Sequence, residues 1–167
     1  MNPYAVADGD RRRIRTMASR GLFVSDHDKV PQKQWLAGAL RDRLASAKHV
    51  EVLSSLVSIR RIRVLEIRSR TGAILDALRR TYDAEVCALP MFESQQEIIR
   101  ALYKIRADEL IDFERFVIPY TESFNLIVSN HMFTHILHPG EFFAELHRHM
   151  APGAYLYLYN EPDELDF

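Results

Sequence analysis

Apolar positions change rhythm along this chain. Between residues 31 and 56 they recur at helical spacing, first as Trp35, Leu36, Ala39, Leu40 and Leu44, then as Val50, Val52, Leu53 and Leu56. Pro31 suits a first helical position, where its missing N–H costs nothing. A helix from Pro31 to about Ala47 is expected, followed by a second amphipathic stretch. From residue 63 short apolar runs alternate with helical patterns. Strands are predicted at Val64–Ile67, at Glu85–Leu89, near Leu110–Ile111, at Phe124–Ser129 and at Tyr155–Tyr159. Helices are predicted over 72–82 and 93–103, and from Pro139-Gly140 to the stop at Ala151-Pro152-Gly153. Such alternation means βαβ units, a parallel sheet and helices on both faces. Ligands of such sheets sit beyond the carboxyl ends of the strands.

Three regions follow from this pattern: an irregular arm over 1–30, a helical cover over 31–60 and an α/β domain over 61–167. The last strand is apolar and aromatic, and unless interior it presents a bare pairing edge. That predicts a homo-oligomer or partner chain over 154–159, or a chain that is part of a longer protein.

Composition narrows the function. The 167 residues carry a net charge of −1, which implies no general affinity for nucleic acid or for an acidic membrane. Arg11, Arg12, Arg13, Arg15 and Arg20 make the start basic, and Glu161, Asp163, Glu164 and Asp166 make the end acidic; both read as solvated termini. Cys87 is the one cysteine, so an intrachain disulfide is excluded, as suits a cytoplasmic protein. No apolar run approaches the roughly 20 residues that span a bilayer, and no apolar stretch of a secretory signal follows the basic start.

The order of motifs over Arg63 to Glu161 resembles the class I S-adenosylmethionine-dependent methyltransferases, which have a Rossmann-like fold. Val64-Leu65-Glu66-Ile67 with Thr71-Gly72 resembles that family's first motif. Phe124-Asn125-Leu126-Ile127-Val128-Ser129-Asn130 is similar to its fourth strand, and Met132-Phe133-Thr134-His135-Ile136 to the segment after it. Met150-Ala151-Pro152-Gly153-Ala154-Tyr155-Leu156 resembles its turn into strand five. The resemblance implies S-adenosyl-L-methionine as cofactor and a small-molecule acceptor, a metabolite or sugar. It also implies that strands six and seven lie beyond this chain.

By this resemblance Glu66, Arg68, Ser69, Arg70, Thr71 and Gly72 border the cofactor's methionine end, with Thr71 capping the next helix. Asp112 and Phe113 face its adenine, and Asn130 stands beside the transferred group. His131 or His135 would act as general base, near neutrality in unperturbed pKa. The two are also spaced to share one helix face, but no third ligand accompanies them, and no metal is expected.

Three positions depart from the pattern. Arg68 and Arg70 stand where the family has glycines that expose backbone. Pro90 stands where it has the acid that grips ribose, and proline offers neither an acceptor side chain nor an N–H. These departures support a second reading, a catalytically inactive subunit or scaffold that has lost cofactor binding. A third is that Arg68 and Arg70 hold an anion, a phosphate or sugar nucleotide, at the helix N-terminus. The bland alternative is that the arginines merely answer Glu66 and Asp76.

Overall fold

The structure is a computed structural model and describes residues 32–56, 61–112, 115–132 and 135–159, with side chains from residue 41 onward. The arm expected over 1–30 lies outside the described residues, as does Phe113.

Helix α1, Gln32–Leu56, is one continuous element. Two separate helical stretches were expected; no proline or glycine lies between Ala39 and Leu56 to part them. Strand β1, Arg63–Ile67, leads into α2, Ala73–Tyr82. Strand β2, Glu85–Leu89, leads into α3, Glu93–Tyr103. Strand β3, Phe124–Asn130, is followed by α4, Pro139–His149, and β4, Met150–Tyr159. Among the described residues all pairings are parallel and the order is β2-β1-β3-β4, so the expected α/β architecture holds.

Two apolar clusters sandwich the sheet. One joins Val64, Leu126 and Val128 to Leu53 of α1, Leu75 and Leu78 of α2, and Ile98 and Leu102 of α3. The other joins Leu65, Ile67, Leu89 and Ile127 to Tyr120, Phe142 and Leu146. Burial on both faces explains why the central strands read as apolar runs and not as alternations. Where α1 meets α2, Asp76 accepts from Arg43 at 2.7 Å, Arg79 at 2.8 Å and Arg80 at 2.5 Å.

Several local expectations are corrected. The strand near Leu110–Ile111 is absent; the added ladder contact comes earlier, as a single bridge between Arg106 and Cys87. Ile111 is instead fixed by its N–H to the Pro90 carbonyl, 2.8 Å, and by burial. His131 and His135 do not share a helix face, because His131 has a left-handed backbone, φ 49°, at the end of β3. The last strand begins at Met150 rather than Tyr155, and absorbs Pro152-Gly153 in a register shift opposite Phe124 to Leu126.

Candidate functional site

The chain runs from β1 outward to β2, then crosses to β3 on the other side of β1. That reversal is a topological switch point, and it opens a crevice between the carboxyl ends of β1 and β3. The loop after β1 lines it.

Glu66 lies in β1 and is 2% exposed. Its Oε2 accepts from the Ser69 hydroxyl at 2.5 Å and its Oε1 from the Tyr159 hydroxyl at 2.9 Å. Burial pushes its carboxyl up to about 7, against the pull of both hydrogen bonds and with a push from Asp42. Tyr159 is likewise raised, by burial first and by the Glu66 charge second. Ser69, fully buried, thus positions the acid.

A cavity of about 80 Å³ opens beside Glu66, lined also by Asp42, Ser46, His49, Arg70, Asn130 and Tyr159. Helix α1 supplies Asp42, Ser46 and His49, none of which stands out in the sequence. Asp42 is raised by burial, an effect opposed by Arg70 and by a Thr71 hydrogen bond. Its Oδ1 lies 4.0 Å from Arg70 Nη1, and its Oδ2 accepts from Thr71 Oγ1 at 3.4 Å. Burial lowers His49; its Nδ1 is 2.9 Å from the Tyr157 hydroxyl and its ring 4.4 Å from that of Tyr159.

Thr71 therefore does not cap α2, contrary to expectation. Gly72 occupies the cap with φ 77°, and no side chain bonds to the cap. Thr71 stands one residue before that cap, and its hydroxyl turns toward Asp42 of α1. Nor do Arg68 and Arg70 answer Glu66 and Asp76, whose partners are other groups.

Arg68 takes a course that the sequence does not disclose. Its backbone is left-handed, φ 59°, and its N–H donates to the Leu89 carbonyl at 2.8 Å. Its guanidinium crosses the crevice: Nε donates to Met91 Sδ at 2.8 Å, and Nη1 to the carbonyls of His131 at 3.0 Å and Asn130 at 3.3 Å. Arg70 faces α1 instead, so the two guanidinium groups do not converge on one anion.

The remaining predicted residues fall in two other places. Asp112 borders an open cleft of about 640 Å³ together with Glu93, Gln96, Asp108, Glu109, Leu110 and Ile111. Its Oδ1 also accepts the Arg115 N–H at 3.2 Å, a turn role. Pro90 follows β2 directly and is buried, its carbonyl accepting the Ile111 N–H. The rings of His131 and His135 are 6.2 Å apart. His135 lines a second small cavity with Phe116, Met132, Glu141 and Phe142, none of which lines the cavity at Glu66.

Comparison with known proteins fits this architecture. A family profile described as "Methyltransferase domain" matches residues 11–164. Comparison with curated protein sequences returns no match. Among solved structures, coclaurine N-methyltransferase bound to N-methylheliamine and SAH superposes with TM-score 0.57 at 16% identity, over 93% of this chain and 44% of that one. A SAM-dependent methyltransferase from Aquifex aeolicus gives 0.54 at 22% identity, over 68% and 66%. The glycopeptide N-methyltransferase MtfA gives 0.53 at 15% identity, over 68% and 52%. At these identities the likeness is one of fold. The chain spans about half the length of coclaurine N-methyltransferase and of MtfA, and two thirds of the Aquifex aeolicus enzyme. Matched along nearly its whole length, and carrying the parallel sheet and switch-point crevice of that fold, this chain belongs to the methyltransferase-domain family.

Proposed function

We propose that the chain is a class I methyltransferase domain that binds S-adenosyl-L-methionine across the carboxyl ends of β1, β2 and β3. The observation that carries this reading is Glu66, a buried acid at the end of β1 that opens on a polar cavity at the switch point. Its surroundings suit the methionine end of the cofactor, since two carboxylates and an arginine border the space. The nucleoside end is suited by the open cleft, where Glu93 and Asp112 supply acceptors that Pro90 does not. Bound there, the cofactor would supply an electrophilic methyl group on a sulfonium.

The chain's own residues would then position the cofactor. Glu66, held by Ser69 and Tyr159, orients a cationic group. Helix α1 walls one side of the cavity through Asp42, Ala45, Ser46 and His49. Asn130 and His131 border the crevice at the end of β3, and His131 or His135 takes the proton of the acceptor nucleophile. The acceptor is a small metabolite or sugar-type molecule. The site works in the cytoplasm, with a second copy or a partner chain pairing along the edge of β4; among the described residues no helix is long and apolar enough to cross a membrane.

Calorimetry with S-adenosylmethionine and S-adenosylhomocysteine tests the reading. Micromolar binding is expected, and its absence from a folded full chain would sink it.

Arg68 favours a second reading, an inactive subunit. Its guanidinium lies across the crevice that the cofactor would enter, held at both sides. This reading expects no binding by the natural chain.

A further inference from the structure

Arg70 replaces a glycine of the family pattern, yet it sits at the mouth of the Glu66 cavity with its side chain 55% exposed. Its partner Asp42 is 27% exposed and reaches it only at 4.0 Å, the outer limit of an ion pair. The other bond to Asp42, from Thr71, is long at 3.4 Å. A largely buried carboxylate so loosely answered is a receptor for a better cation. Arg70, half in water, is correspondingly cheap to redirect.

The cavity also has a size. At about 80 Å³ it has room for several water-sized groups, enough for an α-amino-acid head and far short of a nucleoside. Its lining has the matching polarity: Asp42 and Glu66 on one side of the charge balance, Arg70 on the other, with Ser46 and Asn130 as neutral donors and acceptors.

We propose that Asp42 and Arg70 are the recognition pair for the amino-acid end of the ligand, and that binding exchanges their mutual contact for two external ones. Arg70 leaves Asp42 and takes the α-carboxylate, to which a guanidinium offers two parallel donors. Asp42, with Glu66, takes the α-ammonium. This rests on the methyltransferase reading. It turns Arg70 from a lost glycine into a binding residue, and gives α1 a recognition role besides that of a cavity wall.

The test compares S-adenosylhomocysteine with 5′-methylthioadenosine, which keeps the nucleoside and lacks the amino-acid end. Calorimetry is run on the full chain as wild type, Arg70→Met and Asp42→Asn, each checked for folding by circular dichroism. Each substitution should weaken S-adenosylhomocysteine on the order of tenfold or more and leave 5′-methylthioadenosine unchanged. Unchanged affinity for S-adenosylhomocysteine in both variants would overturn the exchange while leaving the methyltransferase reading intact. Equal weakening of both ligands would assign the effect to the fold and overturn it as well. Failure of the folded wild type to bind S-adenosylhomocysteine removes the methyltransferase reading, and the exchange with it. Arg70→Met carries the test alone if Asp42→Asn does not fold, because the arginine is more than half exposed.

Discussion

Tyr159 and Glu66 stand 93 residues apart and meet through their side chains, the phenol hydroxyl donating to Oε1 at 2.9 Å. Strand β4 is not hydrogen-bonded to β1, because β3 lies between them. The contact therefore ties the edge of the sheet to its centre, over the end where the cavity opens.

Replacing Tyr159 by Phe keeps the ring and its contact with His49 but removes the donor. One oxygen of a fully buried carboxyl then loses its partner. A destabilisation of about 1–3 kcal/mol is expected, read as a lower urea midpoint at unchanged slope.

Glu66 also makes stability depend on pH. Its carboxyl is raised from 4.5 to about 7 in the folded chain. Between those values the folded state keeps the proton and the unfolded state has lost it, so stability falls as pH rises. The contribution is fully present below about pH 4.5, is lost through about pH 7, and amounts to roughly 3 kcal/mol over the window. Denaturation curves at pH 5 and pH 8 should show this loss. Glu66→Gln, which cannot ionise, should flatten it; an equal slope in that variant would assign the effect to another group.

How much of this was legible in the chain differs by residue. The strand, turn and helix from Val64 to Tyr82 are local, written in apolar spacing and in Gly72, and they stand as read. The position of Glu66 at the strand end was legible too. What surrounds it was not, because Asp42, His49 and Tyr159 reach the cavity from 24, 17 and 93 residues away in sequence. The only local trace is that Tyr155, Tyr157 and Tyr159 alternate, which puts their rings on one face of β4. Thr71 shows how a shift of one residue undoes a local rule, since the cap falls on Gly72 and the hydroxyl turns toward Asp42 of α1. Arg68 could be read as a missing glycine, but not as a side chain that crosses to β3.

For Arg68, two costs oppose each other on substitution. A non-glycine residue at φ 59° costs about 1 kcal/mol, and glycine relieves it. The bonds to Met91, Asn130 and His131 are lost in exchange. Arg68→Gly should therefore change stability by no more than about 1 kcal/mol. Its larger effect falls on the crevice, which it clears. S-adenosylhomocysteine binding should strengthen on the order of tenfold in calorimetry. Weaker binding in a folded variant would mean that the guanidinium assists the ligand rather than competing with it.

Gly72 is the strictest position in the loop. Its φ of 77° is one that L side chains rarely adopt, and a Cβ there would lie 3.4 Å from Ile99 Cγ1, Ile99 Cγ2 and Tyr103 Cδ2. Those atoms belong to α3, packed with α2 on the same face of the sheet. Backbone strain is therefore the main cost, since 3.4 Å is the near edge of ordinary contact, and that strain is not relieved by moving a surface group. Gly72→Ala should lose about 1–2 kcal/mol in urea denaturation. The loss should be the same with and without ligand, since the added methyl points into the α3 packing and not into the Glu66 cavity, which Gly72 does not line. A variant of native stability would mean that the loop relaxes out of the left-handed conformation, and that Gly72 is dispensable to the turn it caps.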